Sequence, residues 1–153
     1  MKQMHQAALV PVSCSLCAEP GGVLLWRDAF CRVVSVDDPL VPGFLRVVPT
    51  EHVQEMTDLS TNDRARVMQA VMAAEHLIRR ELRPDKVNLA SLGNVVPHLH
   101  WHVIPRWRDD PWFPQPIWAP ASRSAEVPTA RREAADRMIA NFGALFDAAL
   151  AGH

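Results

Sequence analysis

His98, His100 and His102 stand at alternate positions in the run His98-Leu99-His100-Trp101-His102-Val103-Ile104. In a β-strand successive side chains point to opposite faces, so the three imidazoles share one face. Leu99, Trp101, Val103 and Pro105 then pack on the other. A core has no use for a row of imidazoles, because each ring brings two nitrogens that require partners. Near neutral pH a neutral imidazole serves as a base, a nucleophile or a metal ligand. The row therefore marks a chemical site. The blander alternatives are a half-exposed strand or a metal site made of these histidines alone.

A second group of reactive residues lies near the N-terminus. Cys14-Ser15-Leu16-Cys17 is a C-x-x-C pair, while Cys31 stands in the apolar run Ala29-Phe30-Cys31-Arg32-Val33-Val34 and reads as a small core residue. Three cysteines cannot all pair within the chain, which argues against a secreted disulfide framework. A C-x-x-C alone is a redox pair, a metal half-site or neither. A redox pair usually opens a helix, and Ala18-Glu19-Pro20-Gly21-Gly22 is a poor opening. Two thiolates at this spacing supply one edge of a zinc tetrahedron, for which His52 and His98 are the natural further ligands.

Gly93-Asn94-Val95-Val96-Pro97 leads into the histidine row and Pro105-Arg106 leaves it. Upstream stand Pro42-Gly43-Phe44-Leu45-Arg46-Val47-Val48-Pro49 and Glu51-His52-Val53. With the pattern His-φ-His-φ-His-φ-φ (φ apolar), these segments resemble the histidine-triad (HIT) superfamily across residues 14–106. The resemblance implies a nucleotide hydrolase or nucleotidyltransferase. Its substrate would join a nucleoside through its α-phosphate to a leaving group, as in a diadenosine polyphosphate or an adenylated amine. It assigns His100 as the nucleophile that forms a covalent nucleotidyl-histidine, and His102 as donor to a non-bridging phosphate oxygen. For His100 to attack through one nitrogen, the other must hold its proton against an acceptor such as a backbone carbonyl. Zinc-containing branches of the superfamily imply a structural Zn2+ held by Cys14, Cys17, His52 and His98, a shell that four ligands close.

Other assignments by resemblance are residue by residue. Gly93 allows close backbone approach to phosphate, and Asn94 stands where the family often has glutamine near the leaving-group oxygen. Val95 falls where many members carry serine or threonine, so that contact is missing or made by backbone N–H. Asn88 resembles a family asparagine that reaches phosphate or ribose. Asp37 or Asp38 could hold ribose hydroxyls, although each is also a common turn residue. A homodimer is implied too.

Positioning these residues requires a scaffold, and the pattern supplies one. Val23–Arg27, Phe30–Val36, Phe44–Val48, Val87–Leu92 and His98–Ile104 read as strands, the first pair a hairpin around Asp28-Ala29. His52–Leu59 reads as a short helical turn. Ser60 and Asp63 have capping-box spacing, and Val67, Val71, Ala74, Ile78 and Leu82 mark a buried helical stripe that Arg83-Pro84 ends. The order β-β-β-α-β-β predicts an α+β fold: a five-stranded antiparallel sheet with a helix packed on it, plus a C-terminal helix. The expected division is a catalytic core over residues 1–106, an ordered Trp- and Pro-rich loop over 107–128, and a helix over 129–153. Thr129 reads as the cap of that helix, which carries Ala135, Met138, Ile139, Phe142, Leu145, Phe146 and Ala149 on one face. In the loop, Trp107, Trp112, Phe113 and Trp118 would wall a nucleotide pocket, meet a partner subunit or cover the domain's own sheet.

Composition narrows the function classes. The chain has 153 residues, enough for one domain with a proper core. With 16 basic and 17 acidic residues the net charge is −1, so no overall basic field draws it to nucleic acid or acidic lipid. Lys2, Gln3, His5 and Gln6 interrupt what would be a signal-peptide core, and no run is long enough to span a membrane. The expectation is a soluble cytoplasmic protein with a nucleotide partner and neither nucleic acid nor membrane. Two other classes stay open: a nucleotide-binding protein with vestigial activity, and a zinc-stabilised interaction module.

Overall fold

The computed structural model describes residues 13–152; Lys2, Gln3, His5, Gln6 and His153 lie outside the described residues. Strands β1 (Val23–Arg27), β2 (Cys31–Ser35), β3 (Leu45–Pro49), β4 (Lys86–Ala90) and β5 (Trp101–Arg106) form one antiparallel sheet in the order β1-β2-β3-β5-β4. The expected α+β architecture is therefore present. The β1–β2 hairpin closes where Asp28 Oδ1 accepts from the N–H groups of Phe30 and Cys31, an Asx-type turn.

Helix α2 (Thr61–Leu82) follows a 3-10 turn at Met56–Asp58. Ser60 Oγ accepts from the Asp63 N–H at 3.1 Å, and Arg83 ends the helix at φ 48° just before Pro84. Its buried stripe includes Val67, Val71, Ala74, Leu77, Ile78 and Leu82. These pack on Val33, Leu45, Val47, Leu99 and Val103, the alternate residues of the central strands and their lead-in. Each such aliphatic side chain contributes roughly 1.5–3 kcal/mol on full burial. Gly43 must be glycine-like for this packing: its φ is +84°, and a Cβ there would sit 2.3 Å from Leu82 Cδ1.

Two differences from expectation bear on the packing and the site. The C-terminal segment is two helices, α3 (Thr129–Ala140) and α4 (Phe142–Ala151), and Pro128 rather than Thr129 occupies the N-cap. Asn141 breaks the helix because its Nδ2 donates to the Arg137 carbonyl at 2.8 Å and its backbone leaves helical φ. The apolar spacing nevertheless runs through the break, and Ala135, Met138, Phe142, Phe146 and Ala149 all join the core. Strand β5 begins at Trp101, so His98 and His100 lie in the extended lead-in rather than in the paired strand. Their alternation survives because Leu99 N–H donates to the Val53 carbonyl at 2.7 Å and Leu99 is buried against the helix face.

The Trp- and Pro-rich loop crosses the opposite face of the sheet. There Val41, Phe44 and Ile104 form a second small core with Val36, Trp112 and Ile117. A buried ion pair pins the loop: Arg106 Nε donates to Asp110 Oδ2 at 2.7 Å, with side chains 2% and 4% exposed. Asp110 also accepts from the N–H groups of Trp107, Trp112 and Phe113. No helix among the described residues is long and apolar enough to cross a membrane.

Candidate active site and metal centre

Alternation along the β5 strand and its lead-in puts His98, His100, His102 and Ile104 on the face away from α2. All three histidines are buried. His100 Nδ1 donates to the backbone carbonyl of His98 at 2.6 Å. A carbonyl only accepts, so Nδ1 carries the proton and Nε2 presents a lone pair. His102 lies 4.9 Å from His100 between ring centroids and 5.1 Å from Trp118, in edge contacts with both. Its Nδ1 is buried without a protein hydrogen-bond partner. Burial first, then His100 and Arg46, push its pKa down to about 4. At neutral pH His102 is therefore an uncharged ring with one N–H to give.

His100 and His102 open into a cavity of about 680 Å3. Its walls come from three places: the Glu19–Gly22 turn, the Leu92–Val96 loop, and Arg46 with Trp118. Gly93, Asn94 and Val95 line the same cavity as His100 and His102, with Gly93 at φ +71° turning the loop. Val95 is 93% exposed, and its apolar side chain offers no hydrogen-bond donor. Asn88 lines an adjoining cleft that shares Leu92 and Trp118 with the first. Arg106 Nη1 donates to Asn88 Oδ1 at 2.7 Å, which leaves the Asn88 Nδ2 as the free donor.

Asp37 is placed elsewhere. It lines a separate cavity with Asp38, Arg132 and Asp136, and is not among the residues around His100. Asp38 is a turn residue whose Oδ1 accepts from Leu40 N–H. The four loop aromatics also part company. Trp118 walls the triad cavity, Trp112 covers the sheet, Trp107 joins the helix-side core, and Phe113 lies 5.7 Å from the Arg106 guanidinium.

The metal-ligand candidates converge. Cys14, Cys17, His52 and His98 bring their ligand atoms within 4.8 Å of one another. His98 Nε2 donates to the Pro49 carbonyl at 3.0 Å, so its Nδ1 carries a lone pair. That Nδ1 lies 3.5 Å from Cys14 Sγ, 3.4 Å from Cys17 Sγ and 3.3 Å from His52 Nδ1. His52 Nδ1 is 3.2 Å from Cys17 Sγ. A tetrahedral zinc with bonds of about 2.3 Å to sulfur and 2.0–2.1 Å to nitrogen requires edges of about 3.3 Å between nitrogens and about 3.5 Å from nitrogen to sulfur. The donor set fits the ion in type, number and spacing. A redox role fits less well. Cys14 caps and Cys17 lies within a one-turn helix α1 (Ser15–Ala18) that stops at Glu19, so Glu19–Gly22 opens no helix. Desolvation and the neighbouring Cys14 also push the Cys17 thiol up, whereas a reactive thiol is held down. Cys31 is a core residue, its thiol pushed up to about 12 by burial.

Comparison with known proteins places this arrangement. The HIT domain family model matches residues 20–109. The chain belongs to the HIT family. It is 36% identical over 98 residues to the AP-4-A phosphorylase of Mycobacterium tuberculosis, covering 60% of this chain and 50% of that protein. It is 30% identical over 76 residues to a bis(5'-adenosyl)-triphosphatase of Saccharomyces cerevisiae, covering 46% and 37%. The chain thus spans about half the length, or less, of these curated relatives. A histidine triad protein from Marinobacter aquaeolei VT8 superposes with a TM-score of 0.68 at 27% identity, covering 87% of this HIT protein and 93% of that one. A ZN-bound histidine triad family protein from Mycobacterium smegmatis shares the fold at a TM-score of 0.55, with 23% identity and coverage of 92% and 94%.

Arg46 was not among the residues expected at the site. The signal for it is a lone cation inside the apolar run Phe44-Leu45-Arg46-Val47-Val48, where alternation turns it away from Leu45 and Val47.

Proposed function

We propose that this HIT protein cleaves nucleotide conjugates at the α-phosphate through a covalent nucleotidyl-His100 intermediate, acting on a diadenosine polyphosphate or an adenylated amine. The observation that carries this reading is the His100 Nδ1–H donated to the His98 carbonyl, which leaves Nε2 as a nucleophile facing the cavity. Nε2 forms a bond to the α-phosphorus while the bond to the leaving group breaks, its electron pair departing with that group. Water or another acceptor then displaces His100 from phosphorus. His102, uncharged, donates one hydrogen bond to a non-bridging oxygen as charge develops there. Gly93 and the Val95 backbone N–H serve the same charge, Asn94 lies near the leaving-group oxygen, and Asn88 Nδ2 serves phosphate or ribose.

Zn2+ on Cys14, Cys17, His52 and His98 is part of the proposal; when bound it ionises the thiols and ties the N-terminal segment to the triad. All four of its positions are filled by protein, so its role is structural. A cytoplasmic homodimer, joined through the helix and neighbouring strands, completes the reading.

Rapid-quench intact-mass spectrometry with diadenosine tetraphosphate tests it. A transient adenylyl adduct is expected on the wild type and not on His100→Ala, which keeps its zinc. Nucleotide binding with no adduct and no released mononucleotide would make the chain a binding protein instead. Loss of zinc from His100→Ala would favour an interaction module.

A further inference from the structure

The C-x-x-C half-site sits on a helix that cannot hold itself. Helix α1 is four residues long, and a single turn does not repay its own nucleation. Leu16 is its one buried residue. Within the turn, Ala18 N–H donates to the Cys14 carbonyl at 3.1 Å and Glu19 N–H to the Ser15 carbonyl at 2.8 Å. The next donor in that series, to the Leu16 carbonyl, would be residue 20. That residue is Pro20, which has no N–H.

Arg32 on β2 fills the gap. Its Nη2 donates to the Leu16 carbonyl at 2.5 Å and to the Glu19 carbonyl at 3.3 Å, and its Nε donates to the Pro20 carbonyl at 2.9 Å. One planar guanidinium thus gathers three carbonyls at the C-terminal end of the turn, where a helix leaves its acceptors without donors. All of its hydrogen bonds go to this segment, and among the described residues it forms no ion pair. Burial pushes its pKa down, and Cys17 and Cys14, when ionised, are the charges that oppose this. In the antiparallel register Arg32 stands across from Val48 and Arg46 across from Val34, so both cations lie on the face away from α2. Arg46 Nη1 takes the following carbonyl, that of Gly21, at 3.0 Å. The segment is therefore fastened to the sheet through its backbone, by contacts that involve none of the four ligand side chains. His98 has its own anchors, the Pro49 carbonyl on its Nε2–H and the Leu99 N–H to Val53 carbonyl bond beside it. The cysteines are the half that must be held from outside.

We propose that Arg32 is the positioning residue of the metal centre: it closes the α1 turn in place of the N–H that Pro20 lacks, and so presets Cys14 and Cys17 opposite His52 and His98. This rests on the zinc assignment made above and names the residue that readies the site for the ion. A preset half-site binds more tightly because less chain freedom is lost when the ion arrives. A lysine keeps the charge but replaces the rigid fork by a single point donor, so it does this work only in part.

The test measures zinc affinity by competition with a chromophoric chelator for wild type, Arg32→Gln, Arg32→Lys and Arg66→Gln. Arg66 is the control, a cation on α2 whose contacts are with Asp28 and Phe30. Arg32→Gln should weaken zinc binding about 10- to 100-fold, the range for residues that orient metal ligands from outside. Arg32→Lys should recover part of that loss, and Arg66→Gln should stay within about 2-fold of wild type. Amide hydrogen exchange of the zinc-free chain reads the presetting directly. The Ala18 and Glu19 amides should exchange about 10-fold faster in Arg32→Gln than in wild type, while those of α2 keep their protection. Unchanged zinc affinity in Arg32→Gln, an equal loss in Arg66→Gln, or equal exchange at Ala18 and Glu19 in wild type and variant overturns the proposal. Should Arg32→Gln lose the α2 protection as well, Arg32→Lys decides: faster exchange confined to the turn supports the role, and none there overturns it. If wild type takes up no zinc, the four-ligand assignment fails while the exchange comparison still decides Arg32.

Discussion

Replacing Asp110 by alanine should destabilise this protein more than its position in a surface loop suggests. The carboxylate is 4% exposed and accepts from Arg106 Nε and Nη2 at 2.7 and 3.1 Å. It also accepts from the backbone N–H groups of Trp107, Trp112 and Phe113. Burial alone would raise its pKa, but Arg106 and the N–H groups of Trp112 and Phe113 overcome that and hold it below the ordinary carboxylate value. Truncation leaves Arg106, itself 2% exposed, as a buried charge whose remaining acceptors are Asn88 Oδ1 and the Gln115 carbonyl. Breaking one side of such a pair costs about 3–5 kcal/mol, a large share of the roughly 5–15 kcal/mol that holds a domain folded. For a chain of this size the thermal midpoint should fall by about 6–20 °C. Urea unfolding followed by tryptophan fluorescence measures it. The difference from wild type should be full above pH of about 3.9, since a depressed carboxylate stabilises above its unfolded pKa, and should shrink as pH falls below that. The double change Arg106→Met with Asp110→Leu should lose less than Asp110→Ala, because no charge is then left buried. A loss below about 1 kcal/mol in Asp110→Ala would refute the reasoning and class the pair with solvent-screened surface bridges.

Two further expectations concern metal and protons. Native mass spectrometry should find about one zinc per chain, and Cys17→Ser should lose it along with a large part of the thermal stability; a variant that keeps wild-type zinc would sink the four-ligand assignment. His102 should make stability fall as the solution is acidified below neutrality. Its folded pKa of about 4 lies below its unfolded value of 6.5, so its contribution is complete above 6.5 and is lost as pH falls towards 4. The loss amounts to about 3 kcal/mol, read as the difference between wild type and His102→Gln at pH 7.5 and 4.5. An equal difference at both pH values would mean that folding leaves the His102 pKa unshifted.

Local chemistry explains which features could be read from the residues. The strands flanking α2 carry alternation, and the helix carries its cap at Ser60 and its stop at Arg83-Pro84, so nearest neighbours in sequence decide them. The convergence of Cys14 and Cys17 with His52 and His98 was readable more firmly through the family pattern than through spacing. The structural cause is the Leu99 N–H to Val53 carbonyl bond, which sets the residues after each histidine side by side. Asp37 lies away from His100 for the opposite reason. Its type suits ribose, but the turn at Asp38–Gly43 points it into a cavity shared with α3, and nothing local to Asp37 reveals that. Arg46 was hidden because its meaning depends on register: it becomes a site residue only through facing His102 across two strands separated by more than fifty residues. The break at Asn141 was invisible to hydrophobic spacing, which continues unchanged across it.

His98 joins the two centres. Its ring nitrogens are both committed, Nδ1 to the cluster with Cys14, Cys17 and His52, and Nε2–H to the Pro49 carbonyl at the end of β3. Its backbone carbonyl holds the His100 Nδ1 proton. One residue therefore anchors the N-terminal segment, the end of β3 and the tautomer of the proposed nucleophile. A metal bound there touches neither substrate nor His100 side chain, yet it fixes the carbonyl on which His100 Nε2 depends for its lone pair. The same anchoring acts on the cavity wall. Ser15, Leu16 and the Glu19–Gly22 turn follow directly from the two cysteines and face His100 and His102. The Gly21 carbonyl of that turn is what orients Arg46. Loosening the metal centre would thus disturb the His100 tautomer through His98 and the cavity wall through Gly21, although the four-ligand site touches neither directly.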